Sequence, residues 1–204
     1  MGLYGRHVFP RLMDLMLRRA EVGALRRRAL ARARGEVLEV GFGTALNLPH
    51  YPETVSRVVG LDPLDALGAR VRQRIAQAPF PVEQVGLPAD GRLPFEDGRF
   101  DTVVSTYTLC SIPDVTAALA ELRRVLSPGG ELLYLEHGLS DDPRVARYQH
   151  RFNPIQQVIG CGCQLIRQPH TLVEQAGFGL VESDQWVEAG PRILSEMYSG
   201  VARG

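Results

Sequence analysis

The sequence contains no lysine, since all 23 of its basic residues are arginine. This absence excludes Schiff-base chemistry, a lysine general base and a phosphate-binding loop of the G-x-x-x-x-G-K-S/T type. The 204-residue chain also has 23 acidic residues and a formal net charge of zero. Its overall charge gives no reason to expect a nucleic-acid partner, and none is predicted.

Cysteine is scarce, with only Cys110, Cys161 and Cys163 in the chain. An odd number of cysteines without a secretory signal is typical of a reducing compartment, so the expected location is the cytoplasm. Cys161 and Cys163 are close in sequence, but no second Cys or His cluster completes a zinc site, and no metal is predicted. Long apolar runs are absent too: none approaches the roughly 20 residues that cross a bilayer.

The N-terminal 35 residues are predicted to be helical, as one helix or as two helices broken near Gly23. The apolar side chains of this segment would share one side: Leu12, Leu15, Met16 and Leu25. Arginines would lie on the other side. A basic amphipathic segment is typical of a helix on an anionic membrane surface. Runs of charge are more often solvated surface, so we favour a packing or lid helix and keep membrane contact as the less favoured alternative.

Strands and helices alternate after Gly35. Short apolar runs predict strands at 36–40, 57–61, 82–86, 100–105 and 131–136. Helical spacing predicts helices over 65–77 and from Pro113 to the SPGG sequence at 127–130. This alternation predicts an α/β fold of the doubly wound, Rossmann-like kind, with a mostly parallel sheet and helices on both faces.

The C-terminal part departs from this alternation. An insertion over 139–168 begins with polar residues and then predicts a helix around 145–159. A helix over 169–176 follows. The β-like segments 178–187 and 193–202 lie close together, which predicts an antiparallel hairpin at the sheet edge.

The sequence EVLEVGFGTALNLPHYP, residues 36–52, places a glycine turn directly after the first predicted strand. In an open α/β sheet, ligands bind beyond the carboxyl ends of the strands, where this turn lies. Gly41 and Gly43 lack side chains, so their backbone N–H groups can approach a ligand closely. A dinucleotide-binding fingerprint would have glycine or alanine where Leu46 stands, which weakens that interpretation.

Two acidic residues narrow the choice of ligand. Asp62 ends the second predicted strand, where a carboxylate can accept both hydroxyls of a ribose in NAD or in another adenosine ligand. Glu39 places negative charge beside the turn, which disfavours a pyrophosphate and favours a cation or an amino group. S-adenosylmethionine has a ribose, a sulfonium and an α-amino group but no phosphate. The alternative is that both acids only mark strand ends.

At this point the sequence resembles the class I S-adenosylmethionine-dependent methyltransferases. VLEVGFGTALNLPHYP resembles their first motif and VVGLDP their ribose-binding strand. LPFEDGRFDTVVSTYTLCSIPD and ALAELRRVLSPGGELLYLEH resemble the later strands of the type-11 group, so that the resemblance covers roughly residues 36–180. The expected cofactor is therefore S-adenosylmethionine.

A narrower resemblance concerns the acceptor. LCSIPD, LEHG and GCQLIRQPHTLVEQAGF are similar to the thiol S-methyltransferase family and its bacterial relatives. That family's G-C-x-L-x-R pattern falls on Gly162, Cys163, Leu165 and Arg167. Similar cores also occur in quinone C-methyltransferases and phospholipid N-methyltransferases. The resemblance thus implies a small, hydrophobic acceptor with a thiol favoured, and a quinone or an aminophospholipid as alternatives.

The resemblance also implies which residues bind the cofactor. Glu39, Gly41 and Gly43 would line its methionine end, and Asp62 would hold the ribose with Pro63 or Leu64 against the adenine. An ungapped comparison puts Ala89 at the acid that contacts the adenine amino group, so the neighbouring Asp90 is only a candidate. Ser105 and Thr106 would border the methyl group. Ala45 replaces the family's third glycine, and we expect tolerance with some loss of affinity.

Candidate catalytic residues follow the later strands. His137 ends the fifth strand and either acts on the acceptor or only hydrogen-bonds a loop. Tyr107 and His150 are further candidates. Cys163 has no activating base nearby in sequence, which favours a small buried thiol over a nucleophile. Arg167 either meets an anionic group of the acceptor or ties the insertion to the core.

We therefore expect one methyltransferase domain over 1–204. Its parts would be an N-terminal helical segment (1–35), a cofactor-binding core (36–138), a cap insertion (139–168), and a C-terminal helix and hairpin (169–204). Two rival functions are a nicotinamide-dependent oxidoreductase and a non-catalytic S-adenosylmethionine-binding module. The sequence does not indicate the oligomeric state.

Overall fold

The computed structural model describes residues 3–63 and 68–204. The predicted adenine contact Leu64 and the start of the helix predicted over 65–77 lie outside these residues. The N-terminal segment forms a π-helical turn, Tyr4–Val8, and two α-helices, α1 (Phe9–Leu17) and α2 (Ala20–Ala29).

The segment forms two helices, the second of the two predicted arrangements, but the break lies at Arg18 and Arg19 and not near Gly23. Arg19 is extended, with a ψ of 151°. Gly23 lies inside α2, where a Cβ would come within 3.2 Å of the His50 ring. The glycine thus serves the close packing of α2 and not its interruption.

Seven strands form one sheet. Their bounds are β1 Gly35–Val40, β2 Val55–Leu61, β3 Val82–Val85, β4 Phe100–Thr106, β5 Leu126–His137, β6 Gly179–Val187 and β7 Glu196–Arg203. The order is β3-β2-β1-β4-β5-β7-β6, and the first five strands are parallel. β7 runs antiparallel to both β5 and β6. This confirms the predicted mostly parallel sheet with a C-terminal antiparallel hairpin.

Helices cover both faces of the sheet, because neighbouring residues of each central strand belong to different cores. Leu38 of β1 packs in a cluster with side chains of α4 (Val115–Val125) and α6 (Pro169–Gln175). Val37 packs on the other face, in a cluster with Leu30, which follows α2, and with side chains of α3 (Gly68–Ala76). Adjacent apolar residues, such as Val58 and Val59 of β2 or Val103 and Val104 of β4, are the sequence signature of this two-sided burial.

The SPGG sequence after α4 belongs to a strand. The N–H of Leu126 donates to the carbonyl of Leu122, which ends the helix, and β5 starts at Leu126. The pairing of β4 with β5 is irregular between Phe100 and Thr102, where the glycines of this sequence are accommodated. The predicted strand 131–136 is therefore the regular part of a longer one.

The cap insertion contains α5, Pro143–Ile159, close to the predicted helix. Its buried Gln149 accepts a hydrogen bond from the Ser140 N–H and donates to the carbonyls of Gly138 and Ile193, which anchors the helix to both flanking segments. Among the residues that the structure describes, no helix combines the length and hydrophobicity needed to span a bilayer.

Candidate active site

The glycine turn lies at the carboxyl end of β1. Gly41 and Gly43 have φ values of 72° and 50°, in the left-handed region that favours glycine. A Cβ on Gly41 would collide with the Thr108 side chain, so only glycine fits there. A Cβ on Gly43 would meet nothing closer than the Gly41 carbonyl at 3.7 Å within the described part of the chain. The turn is therefore packed at Gly41 and open at Gly43.

Asp62 lies against this turn. Its carboxylate accepts a hydrogen bond of 2.8 Å from the Gly43 N–H, and its own N–H donates to the Val85 carbonyl. The structure thus brings together Gly43 and Asp62, which the sequence places in one site, while Pro63 beside them is exposed. A carboxylate held at the open part of a glycine turn suits a ribose or an amino group and repels a phosphate.

Glu39 is a buried carboxylate within a hydrogen-bond network. It accepts 2.7 Å and 2.9 Å hydrogen bonds from the Tyr51 hydroxyl and the Asn47 amide. Burial raises the pKa of Glu39 to about 7, although Tyr51, Arg26 and Asn47 act in the opposite direction. The side chain is 1% exposed, so it contributes to a ligand site mainly through the field of this network.

Arg26 of α2 joins the network, and the sequence analysis missed it by assigning all arginines of this segment to a solvated face. Its guanidinium donates to the Asn47 amide oxygen (2.6 Å) and to the Thr106 hydroxyl (2.9 Å). The Nε atom is buried and has no hydrogen-bond partner among the described residues. A buried cation beside Glu39 offers a partner for a carboxylate.

The two residues that end β4 point to different groups. The Thr106 hydroxyl lies between Arg26 and the Asn47 amide, at 2.9 Å and 3.0 Å. The Ser105 hydroxyl donates instead to the Glu136 carboxylate at 2.8 Å. Only Thr106 therefore shares the network of Glu39, whereas Ser105 belongs to the neighbouring group on β5.

Tyr107 follows directly, with a left-handed φ of 55° that aims the next residues across the sheet edge. The Arg26 guanidinium carbon lies 5.3 Å from the centre of its ring. Burial raises the pKa of Tyr107 to about 12, against the influence of Arg26. The phenol is therefore protonated near neutral pH and acts as a hydrogen-bond donor.

Glu136 is a second residue that the sequence analysis missed. Its buried carboxylate accepts hydrogen bonds from the Thr108 and Leu109 N–H groups as well as from Ser105. Burial raises its pKa, and these hydrogen bonds only partly offset that effect. The sequence signal was a carboxylate at the end of an apolar strand, directly before His137.

His137 lies at hydrogen-bond distance from Cys163, with 3.0 Å between Nε2 and Sγ. Cys163 is buried, as expected, but the fold brings it to a base that is 26 positions away in sequence. Burial tends to lower the pKa of His137, but Cys163 outweighs it and the pKa is raised. The Cys110 side chain and burial raise the pKa of Cys163, so this thiol is buried and protonated.

The remaining candidates have other hydrogen-bond partners or are exposed. The Asp90 carboxylate accepts a 3.4 Å hydrogen bond from the Asp114 N–H at the start of α4. Arg167 donates to the carbonyls of Leu109 and Ile112, which ties the insertion to the loop after β4, the second of its two expected roles. His150 is exposed on α5.

Comparison with known proteins decides the family. Residues 38–134 match the family described as methyltransferase domain. The chain is 33% identical over 180 residues to human thiol S-methyltransferase TMT1B, an alignment that covers 83% of this chain and 73% of the relative. The chain belongs to the S-adenosylmethionine-dependent methyltransferases. Its cofactor is S-adenosylmethionine, which decides against the nicotinamide-dependent alternative. Membership of a family of methyltransferases supports catalysis over the non-catalytic alternative.

Two further relatives of this methyltransferase act on other acceptors by their names. Phosphatidylethanolamine N-methyltransferase of Cereibacter sphaeroides is 32% identical over 127 residues, 62% of either chain. The ubiquinone/menaquinone biosynthesis C-methyltransferase UbiE of Geobacter sulfurreducens is 30% identical over 132 residues, covering 62% of this chain and 51% of the relative. Family membership thus fixes the reaction class and leaves the acceptor open.

Solved structures agree with the fold of the methyltransferase. A putative methyltransferase from Bacillus halodurans superposes with a TM-score of 0.72 at 19% identity, covering 90% of this chain and 98% of the other. The N-methyltransferase NodS of Bradyrhizobium japonicum, in complex with S-adenosyl-L-homocysteine, has a TM-score of 0.68 at 18% identity, with coverages of 97% and 93%. At these identities the likeness concerns the fold alone.

Proposed function

We propose that this methyltransferase methylates a small hydrophobic acceptor, and that the acceptor is a thiol. The observation that carries this proposal is that the ionisable side chains at the ends of β4 and β5 are either hydrogen-bonded within the protein or protonated at neutral pH, so that none is free to act as a strong base. Glu136 is engaged by two backbone N–H groups, His137 by Cys163, and the pKa of Tyr107 is raised to about 12. A thiol suits such a site because it ionises to a useful extent near neutral pH without a dedicated base.

The proposed cofactor contacts follow the glycine turn. Asp62 would accept the ribose hydroxyls beside Gly43, with Pro63 against the adenine. The network of Glu39 and Arg26 would meet the amino and carboxylate groups of the methionine end. The close packing of Thr108 against Gly41 would hold the turn in place beside the cofactor. Thr106 would border the methyl group, and the hydrogen bond of Ser105 to Glu136 makes Ser105 a supporting residue.

The chain's own contribution to the reaction is positioning. When bound, S-adenosylmethionine supplies a methyl group on a positively charged sulfur. The acceptor must approach in line behind that methyl, so rigid strand ends and exclusion of water account for much of the acceleration. Thr106 and Tyr107, held by Arg26 at the end of β4, would form one wall of this approach.

A calorimetric titration with S-adenosylhomocysteine, run beside NADH, tests the cofactor site. We expect micromolar binding of the former alone. An acceptor screen with radiolabelled S-adenosylmethionine then compares an alkyl thiol, a quinol and phosphatidylethanolamine vesicles. Methylation of the thiol at the highest kcat/KM supports the proposal, and turnover with only another acceptor overturns it.

The variant Asp62→Ala tests the ribose assignment. We expect the affinity for S-adenosylhomocysteine to fall at least about tenfold, which is roughly 1.4 kcal/mol. Glu53→Ala is the matched control, since Glu53 is an exposed carboxylate in the loop before β2, and its affinity should stay at the wild-type value. Unchanged affinity in a folded Asp62→Ala protein would remove Asp62 from the site.

A lipid acceptor is the second candidate, and a specific observation favours it. Apolar side chains of α1 and α5 are exposed on elements joined by the hydrogen bond from the Tyr4 hydroxyl to the Ile159 carbonyl. The exposed set comprises Leu12, Leu15, Met16, Ile155, Val158 and Ile159. With Arg11 and Arg18 exposed nearby, this surface suits an anionic bilayer. Phosphatidylethanolamine in the screen tests this candidate directly. A cytoplasmic location stays a prediction.

A further inference from the structure

Three potential metal ligands from distant parts of the chain meet at the carboxyl ends of β4 and β5. Cys110 lies in the loop after β4, His137 ends β5, and Cys163 lies in the loop after α5. The Cys110 and Cys163 sulfurs and a His137 ring nitrogen all lie within 4.8 Å of one another. Cys161, two residues from Cys163, takes no part in this cluster.

The distances within the cluster suit a small thiophilic cation. Zinc binds thiolate sulfur at about 2.3 Å and imidazole nitrogen at about 2.0–2.1 Å, so tetrahedral ligands are roughly 3.5–3.8 Å apart. The His137 Nε2 and Cys163 Sγ atoms are 3.0 Å apart, and the Cys110 sulfur lies within 4.8 Å of both. The His137–Cys163 pair would have to open by roughly half an ångström to hold an ion.

A second observation concerns the surroundings of His137. Its Nδ1 atom is buried and has no hydrogen-bond partner within the part of the chain that the structure describes. Its Nε2 atom is the one directed at Cys163. An imidazole of a zinc site binds the metal through one nitrogen and needs a water or polar group at the other. The unpartnered Nδ1 atom indicates that this local environment is completed by something outside the protein chain.

We propose that Cys110, His137 and Cys163 form a binding site for one zinc ion, with the fourth position held by a water molecule or by the Gln156 side chain. The Gln156 amide nitrogen donates to the Cys163 sulfur at 3.4 Å, so a turn of the amide group would bring its oxygen toward the ion. This proposal departs from the sequence expectation of no metal. It rests on the geometry of the cluster and not on the identity of the methyl acceptor.

The binding step balances without any redox partner. The two thiols each lose a proton to solvent, the His137 Nε2 lone pair coordinates the ion, and Zn²⁺ replaces the two protons. The ion would join the loop after β4, the end of β5 and the loop after α5. Because zinc would bind the folded chain better than the unfolded one, it would also raise the thermal midpoint.

Zinc titration of the metal-stripped full-length protein in a non-thiol reductant, competed with a chromophoric chelator, tests the site. We expect one equivalent with a Kd below about 1 µM, release of about two protons per zinc, and a higher Tm. Cys110→Ser and Cys163→Ser should each weaken binding at least about 100-fold. Cys161→Ser, the matched control from the same loop, should retain the wild-type Kd.

Circular dichroism and S-adenosylhomocysteine binding establish that each variant is folded. If the serine variants fail to fold, cobalt titration of the wild-type protein replaces them, since two thiolates give intense thiolate-to-cobalt charge-transfer bands. Absence of these bands, or of stoichiometric zinc in the reduced folded protein, overturns the site. An equal loss of zinc affinity in the control variant Cys161→Ser would also overturn the site. A chain that binds S-adenosylhomocysteine but not zinc refutes only the metal site.

Discussion

At the scale of the residue, the cofactor end of the molecule depends on buried ionisable groups that are linked through a shared hydrogen-bond partner. Glu39 and Arg26 are nearly fully buried, and each has hydrogen bonds to Asn47. Thr106 connects the same network to the end of β4. Removing one member leaves another polar group buried without its partner, which costs more than the bond itself contributes.

The variant Glu39→Gln should change how stability depends on pH. Burial raises the pKa of Glu39 from 4.5 to about 7, so the folded protein keeps a proton that the unfolded chain releases between these values. The corresponding stabilisation is fully present below about pH 4.5 and is lost as pH rises through 7. It amounts to about 3 kcal/mol.

Urea unfolding at pH 5 and pH 8 measures this difference. We expect the fall in unfolding free energy between the two pH values to be about 2–3 kcal/mol smaller in Glu39→Gln than in the wild type. Other titrating groups are common to both proteins and cancel. Glu53→Gln, which alters an exposed carboxylate, should follow the wild type, and parallel curves for Glu39→Gln would contradict the assignment.

The left-handed backbone at Ala45 predicts that glycine and valine substitutions there will differ in unfolding free energy. Its φ is 59° and its side chain is fully buried. Ala45→Gly relieves left-handed strain but loses a buried methyl and adds freedom to the unfolded chain, so unfolding free energy should stay within about 1 kcal/mol of the wild type. Ala45→Val should lose at least about 2 kcal/mol, because a β-branched residue is strongly disfavoured there. Thermal denaturation of both variants measures the contrast, and a stable valine variant would contradict it.

Sequence patterns predict the contacts that are local and leave the distant ones undetermined. The strand-end position of Asp62 beside the glycine turn follows from the fold class, and the structure places it there. Arg26 reaches Thr106 across 80 positions of sequence, and His137 reaches Cys163 across 26. Such contacts depend on loop paths, which residue spacing alone does not determine.

At the scale of the element, α1 is held by a buried charge as well as by apolar packing at Pro10. Asp14 is fully buried and accepts hydrogen bonds from Arg70 (2.5 Å) and Arg74 (2.6 Å) of α3, whereas Leu12 and Leu15 are exposed. Arg74 also donates to the Thr44 carbonyl in the glycine turn. The packing helix expected from the sequence is thus linked to the cofactor turn through a charged contact.

Asp14→Asn should loosen this helix. Burial acts to raise the pKa of Asp14, but the hydrogen bonds and charges of Arg74 and Arg70 outweigh it and lower the pKa. We expect a loss of about 1–3 kcal/mol in unfolding free energy. Hydrogen exchange of the α1 amides should accelerate selectively. Glu21→Gln, which alters an exposed acid at the start of α2, is the control. Unchanged hydrogen exchange of the α1 amides in Asp14→Asn would refute a stabilising role for the contact of Asp14 with Arg70 and Arg74.

Element positions were the most predictable part of the fold. The buried strands contain short runs of apolar residues, so their places along the chain can be predicted from these runs. The errors fall where one segment satisfies two patterns: the arginines at 18 and 19 are good helix formers yet break the helix, and the SPGG sequence both ends α4 and enters β5. Tertiary packing decides such cases.

At the scale of the whole molecule, Glu131 joins segments from both ends of the chain. It accepts hydrogen bonds from Arg32, just before β1, and from Arg203, at the end of β7. The hydrogen bond from Arg32 is the main cause that lowers the pKa of Glu131 to about 2, and the hydrogen bond from Arg203 acts in the same direction. Burial of Glu131 opposes both effects. The carboxylate is 1% exposed while the two arginines are 39% and 52% exposed, so solvent screens part of this interaction.

Glu131→Gln should therefore destabilise the protein at neutral pH by about 1–2 kcal/mol. Because the folded pKa is depressed, this stabilisation is present above about pH 4.5 and disappears as pH falls toward 2. Denaturant unfolding at pH 7 and pH 3 compares the variant with Glu182→Gln, an exposed acid that bonds Arg32 alone. A gap between wild type and Glu131→Gln that fails to narrow at pH 3 would contradict this account.

The order of the last two strands has a consequence for how the protein is made. β6 precedes β7 in the chain, yet β7 lies between β5 and β6 in the sheet. During synthesis, residues 179–187 therefore leave the ribosome before their only neighbouring strand exists. The sheet is completed in one late event when Glu196–Arg203 arrives. A chain interrupted before Glu196 would lose the pairings of β7 with β5 and with β6 at once, so this edge of the sheet forms only after β7 has been made.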